Sequence, residues 1–209
     1  MAYGFLDIAT TPSVRAVQTA NGSAKLWTDF KGHREFDHLT EAEAEFIATR
    51  DSFYMATVSE TGWPYVQHRG GPPGFLRILD DKTLAFPDFR GNLQYISVGN
   101  VAADNRVALI LMHYPNRRRL KIYARVEIKD LNTDPALTEK LMLPGYKAKP
   151  ERAIVLHLEA FDWNCPQHIT PRFSEAELAT ALAPIRARLE QLEAENKTLR
   201  EKLAASSTP

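Results

Sequence analysis

Phe53-Tyr54-Met55-Ala56-Thr57-Val58, then Glu60-Thr61-Gly62, then Pro64-Tyr65-Val66-Gln67-His68 is the stretch that decides the fold class. Its outer segments are rich in aromatic and β-branched residues and its short polar separator ends in glycine, so the whole reads as an antiparallel hairpin. Toward the C-terminus, Gly70-Gly71-Pro72-Pro73-Gly74 leads into a second pair of the same kind, Phe75 to Leu79 and Thr83 to Phe86, turned at Asp80-Asp81-Lys82. Two longer strands follow, Arg106 to His113 and Leu120 to Leu131, with Pro115 and Asn116 in their turn. A last strand runs from Ala153 to Phe161, where Ile154, Leu156 and Leu158 alternate with more varied neighbours. Six or seven strands with few helices predict a mainly β, α+β architecture, an antiparallel barrel that is closed or nearly closed.

Helices fill the intervals. Thr40, with Glu41 and Glu43 in the first turn and Phe46 and Ile47 at helical spacing, predicts a capped helix to about Arg50. Asn92 to Asp104 reads as a helix with Leu93, Ile96 and Val101 inward, and about Pro135 to Leu143 as another. Residues 1–37 carry scattered aromatics (Tyr3, Phe5, Trp27, Phe30, Phe36) without a sustained period, which predicts a loosely helical N-terminal arm over the core. The barrel domain is then residues 38–173.

After Arg172 the composition turns to Ala, Glu, Leu, Lys and Arg, and residues 174–209 read as a C-terminal helix opened by the capping box Ser174-Glu175-Ala176-Glu177. Pro184 is expected to kink or restart it. Beyond it, Ile185, Leu189, Leu192, Asn196, Leu199 and Leu203 alternate steps of four and three, the spacing of a coiled-coil seam. With Asn196, Leu189 and Leu203 at heptad position a and the others at d, a lone Asn among leucines favours a parallel homodimer. An amphipathic helix lying on its own barrel is the alternative.

Bulk composition narrows the function. The 209 residues suit one domain with an extension, and 44% hydrophobic, 10% aromatic and 25% charged content are those of a globular chain. Twenty-six basic residues balance 26 acidic ones, which argues against a general nucleic-acid binder. The longest aliphatic run, Val107 to Met112, falls far short of the roughly 20 residues that span a bilayer, and no secretory pattern opens the chain, so a cytoplasmic location is expected. The single cysteine, Cys165, read as a small buried side chain, makes no internal disulfide, and the six histidines show no metal-ligand spacing.

Several segments, taken in order, resemble the flavin-binding core of the pyridoxamine 5'-phosphate oxidase-like family, in its flavin-nucleotide-binding branch. They are Phe53 to Val58, Gly62 to Gly71, Leu84-Ala85-Phe86-Pro87-Asp88-Phe89-Arg90-Gly91-Asn92, Asn105 to Leu109, Arg117 to Ile122 and Phe161 to Ile169. The resemblance implies a split β-barrel, FMN as cofactor, a homodimer, and an oxidoreductase acting on a small molecule. It also implies the site: Gln67, His68 and Arg69 on the second strand, Phe86 and Pro87 beside the ring, Arg90 and Asn92 at the phosphate, Arg119 near the flavin, and Trp163 and Gln167 from the second subunit. Period-two alternation puts Gln67 and Arg69 on one face of their strand and His68 on the other. FMN asks for cations and helix-start amides at its phosphate, donors at its ring and an apolar slot, and these residue types supply all three.

The sequence departs from the family's pyridoxamine phosphate oxidases at Gln167-His168-Ile169-Thr170-Pro171-Arg172, where those carry an Arg and His pair at another spacing, and in its C-terminal helix. The second reading is therefore a non-catalytic flavin or heme carrier or sensor that recruits a protein partner through that helix. A deazaflavin cofactor is the remaining option.

Overall fold

The computed structural model describes residues 4–28 and 38–206. It divides into two compact units, Met1–His113 with Arg117–His168, and Tyr114–Asn116 with Ile169–Pro209. The first opens with three short helices, α1 (Phe5–Ala9), α2 (Pro12–Ala20) and α3 (Ala24–Thr28), followed by α4 (Glu41–Ala48). Then come β1 (Ser52–Val58), β2 (Pro64–Gly70), β3 (Arg77–Asp80), β4 (Thr83–Phe89), α5 (Ile96–Ala103), β5 (Arg106–His113), β6 (Arg118–Lys129), α6 (Pro135–Leu141) and β7 (Pro150–Asn164). The second unit is dominated by α7 (Glu175–Ser206). Tyr3, Phe30 and Phe36, expected in the arm, lie outside the described residues.

The seven strands form one antiparallel sheet in the order β2-β1-β5-β6-β7-β4-β3. Phe53 on β1 and Phe86 on β4 stand four places apart in that order, roughly 19 Å on a flat sheet at the usual strand spacing. Their ring centroids are 5.2 Å apart, so the sheet is rolled into a barrel, split between its edge strands β2 and β3. Inside it, Phe53, Met55, Phe86, Leu111, Leu120, Ile122, Leu156 and Phe161 form the core. A smaller cluster, Ala85, Ala153 and Val155 with Leu137 and Leu141, seats α6 on the outer face.

Local chemistry explains the ends of the elements. The Glu43 carboxylate accepts from the Thr40 backbone N–H at 3.0 Å and from its hydroxyl at 2.5 Å, closing a capping box on α4, and also accepts from Trp163 Nε1 at 2.6 Å. Asp134 caps α6 by accepting from the Leu137 amide at 2.9 Å, with Pro135 at the first helical position, where a missing N–H costs nothing. Pro87 pairs with Ala153 of β7, while the β3 ladder ends at Ala85, so the proline stands where β4 has a partner on one side only. Gly71 is needed for a close approach: a Cβ there would lie 2.7 Å from the Phe75 ring.

Glu43 gives a pH-dependent test. Burial pushes its carboxyl up, but the hydrogen bonds from Thr40 and Trp163 outweigh this and hold it below the ordinary value of 4.5. Its stabilisation is then fully present above pH 4.5 and is lost as pH falls through the lowered value. Glu43→Gln is expected to lose about 1–2 kcal/mol in urea denaturation at pH 7. The gap to the native chain should close at acid pH, and a pH-independent gap would refute the assignment.

Two expectations need correction and a third is narrowed. The helix read from Asn92 begins at Ile96, because Leu93 (φ 64) and Tyr95 (φ 52) take left-handed backbone that a helix does not admit. Leu93 and Ile96 accordingly point outward, while Ser97, Asn100 and Val101 are buried. Cys165 is exposed, just past the end of β7. Of the two outcomes expected at Pro184, a kink or a restart, the restart does not occur, since α7 runs on as one helix through it.

Candidate functional site

The site grows from the inner face of edge strand β2. Its register with β1 pairs Thr57 with Tyr65, Met55 with Gln67 and Phe53 with Arg69, so alternation turns Tyr65, Gln67 and Arg69 toward the barrel interior. Beyond the edge they meet Asp88 and Phe89 of β4, the segment Gly91–Tyr95, the first turn of α5 and Glu151 of β7. These enclose a cavity of about 320 Å³, within the range of small-molecule sites.

A charge network forms one wall. Arg69 donates to Asp88 Oδ1 at 2.7 Å, Arg152 Nε lies 3.7 Å from Asp88 Oδ2, and Arg152 donates to Glu151 at 2.9 Å. Arg90 Nε is 3.8 Å from Glu151, and the Tyr95 hydroxyl donates to Glu151 at 3.3 Å. Three guanidiniums face two carboxylates, leaving one positive charge. Burial pushes the Asp88 carboxyl above its ordinary range, against the pull of Arg69 and Arg152.

The opposite wall is the start of α5. The first bond of this helix runs from the Gly99 amide to the Tyr95 carbonyl at 2.8 Å, so the amides of Ile96, Ser97 and Val98 have no intrahelical acceptor. Tyr95 offers no side-chain cap, and the first turn holds no acidic residue. Two buried side-chain atoms of the lining residues also lack a hydrogen-bond partner, Arg69 Nε and Ser97 Oγ. One guanidinium nitrogen, a hydroxyl and uncapped helix amides, each without an acceptor and each on a residue that lines one cavity, are the donor types a phosphate asks for. The two left-handed residues, Leu93 and Tyr95, lie on this wall, and such strain concentrates where the backbone is shaped for a ligand.

Of the residues the sequence singled out, Gln67, Arg69 and Asn92 line the cavity. Asn92 shapes the loop, its Oδ1 accepting from the Gln94 amide at 3.1 Å, and Gln67 accepts from the Tyr65 hydroxyl. Arg90 is half exposed and reaches the rim through Glu151, and its backbone amide donates to Lys149. Phe86 and Pro87 are buried behind the cavity, with the Arg69 guanidinium 5.9 Å from the Phe86 ring. His68 faces outward against Tyr54, ring centroids 5.5 Å apart, and Gly70 and Gly71 pack closely on His68 and Phe75. Arg119 donates to the Asn164 side chain on the outer face of the β6–β7 pair. Trp163 packs edge-on to Phe46 at 4.8 Å beneath Arg118, and Gln167 sits in an exposed turn, so neither belongs to the cavity within one chain.

Sequence reasoning passed over Tyr65, Asp88, Tyr95, Ser97, Glu151 and Arg152. Asp88 carried a usable signal. It follows Leu84 and Phe86 at period two, which puts a carboxylate on a buried stripe.

Among solved structures, HupZ of Group A Streptococcus shares 18% identity over 65% of this chain and 99% of its own, with a TM-score of 0.49. An FMN-binding protein from Syntrophomonas wolfei shares 14% over 72% and 97%, with a TM-score of 0.47. HutZ, the heme storage protein of Vibrio cholerae, shares 13% over 56% and 89%, with a TM-score of 0.38. No curated protein matches. The family model described as pyridoxamine 5'-phosphate oxidase matches residues 39–161, a span that takes in β1 to β6, most of β7 and every residue lining the cavity, and the chain therefore belongs to that family.

Proposed function

We propose that the chain is a cytoplasmic, homodimeric flavoprotein that binds FMN with its phosphate between Arg69 and the start of α5, and that it is an oxidoreductase acting on a small molecule. The observation that carries this reading is the pair of buried, unpartnered donors, Arg69 Nε and Ser97 Oγ, on one cavity with the free α5 amides. Gln67 and Tyr65 follow Arg69 on the same face of β2 at roughly 7 and 13 Å along the strand, a track of amide and phenol groups leading away from the phosphate. Bound FMN would supply the redox chemistry, and the chain's residues bind and orient it and exclude water.

Trp163 and Gln167, outside the cavity of one chain, are assigned to the second subunit's contribution. Support comes from the outer face of the β1–β2 hairpin, which exposes Tyr54, Val58, Trp63 and Val66, an apolar surface suited to a second copy.

The test is the visible spectrum of purified protein with titrations of FMN and of riboflavin, followed by addition of NADH or NADPH. FMN should bind at least tenfold tighter than riboflavin, because each charge-assisted bond to the phosphate is worth about 1.5–3 kcal/mol. Colourless protein that takes up no FMN would overturn the reading. A heme spectrum, or a bound flavin that no reductant reduces, would favour the carrier instead.

A further inference from the structure

We infer that α7 pairs in parallel and in register with α7 of a second copy of this chain, forming a two-stranded coiled coil. This stands apart from the FMN reading. The four-three spacing read from Ile185 onward extends back in one continuous helix to Leu182 and Leu178, with Pro184 at the outward position c, so the seam covers close to four heptads. Along it Leu178, Leu182, Ile185, Leu189, Leu192 and Leu199 are 40–64% exposed. A lone helix carrying such a stripe is marginal in water and gains stability by burying it.

Two features select the occupant. Asn196 interrupts the leucines at position a, and its side-chain amide has no hydrogen bond among the described residues. In a parallel, in-register pair the two Asn196 amides face each other and bond, whereas an antiparallel pair buries each against leucine. The flanking charges choose the same partner. Arg188 at g meets Glu193 at e of the other copy, and Glu195 at g meets Arg200 at e, so every interhelical coupling of this kind attracts.

Full-length protein carrying Cys165→Ser and Leu199→Cys, at position d, is compared under mild oxidation with Cys165→Ser and Thr198→Cys, at the outward position c. Cross-links are read on non-reducing gels, and circular dichroism confirms that both variants are folded. Parallel register brings the two copies of residue 199 together, within reach of a disulfide, and Leu199→Cys should cross-link at least tenfold faster than Thr198→Cys. Adding Arg188→Glu or Glu193→Arg to the Leu199→Cys variant should slow the reaction several-fold, and adding both should restore it. Equal rates at the two positions, as a helix resting on its own barrel, an antiparallel pair or a different partner protein would give, overturn the inference, as does a failure of the double charge reversal to restore the rate.

Discussion

Arg69→Ala is expected to weaken FMN binding about 10- to 150-fold, the loss that corresponds to about 1.5–3 kcal/mol for a charge-assisted bond. It is also expected to destabilise the fold. Asp88 is 6% exposed, and its nearer cation is Arg69 at 2.7 Å. Removing that cation leaves a buried carboxylate facing only Arg152 at 3.7 Å, so a loss of up to about 3 kcal/mol follows, the lower end for breaking a buried pair. The two effects separate in the double variant Arg69→Ala with Asp88→Asn, which should recover much of the stability and none of the affinity. Acid separates them as well. The Asp88 pKa is already raised, so the carboxyl contributes least to stability when ionised, and stability declines as pH climbs through its folded pKa. Without Arg69 that pKa rises further, and the stability deficit of the single variant shrinks as pH is lowered. Urea denaturation at several pH values and FMN titration at neutral pH measure both. Unchanged FMN affinity in a folded Arg69→Ala protein would remove the phosphate from this cavity.

The hairpins were legible because period-two alternation and turn chemistry are local: β1, β2, β4 and β5 begin within a residue of where side-chain pattern and Gly or Asp turns put them. The cap at Thr40 and the capping box at Ser174 were legible for the same reason. Sheet order was not, since nothing local tells β4 to pair with β7 and β1 with β5. Most of the cavity escaped as well. Its α5 wall depends on left-handed backbone at Leu93 and Tyr95, residue types that carry no sequence signal for it, so the free amides were placed at Gly91-Asn92 instead of Ile96–Val98. Ser97 was hidden with them, because its value lies in where the helix begins. Arg69 was named through the family resemblance, and strand alternation put it on one face with Gln67 and apart from His68, as the β1–β2 register does.

Phe53→Ala is expected to cost about 3–5 kcal/mol, the range for truncating a buried aromatic and a large fraction of the 5–15 kcal/mol that holds a typical domain together. Phe53 is 1% exposed, stacks on Phe75 at 5.6 Å and meets Phe86 edge-on at 5.2 Å, so it joins β1 to the segment leading into β3 and to β4, across the barrel. Since the β1 ladder places Phe53 opposite Arg69, the same ring supports the strand that presents the guanidinium. Loosening there lets β2 drift from Asp88, and FMN affinity falls together with stability. Phe53→Leu keeps most of the volume and should give back most of both. Thermal or urea denaturation of the two variants, with FMN titration under conditions where each is folded, gives the answer. A Phe53→Ala protein that loses stability yet binds FMN as tightly as the native chain would show that the cavity is held by the α5 wall and the Arg69–Asp88 pair without help from the aromatic cluster.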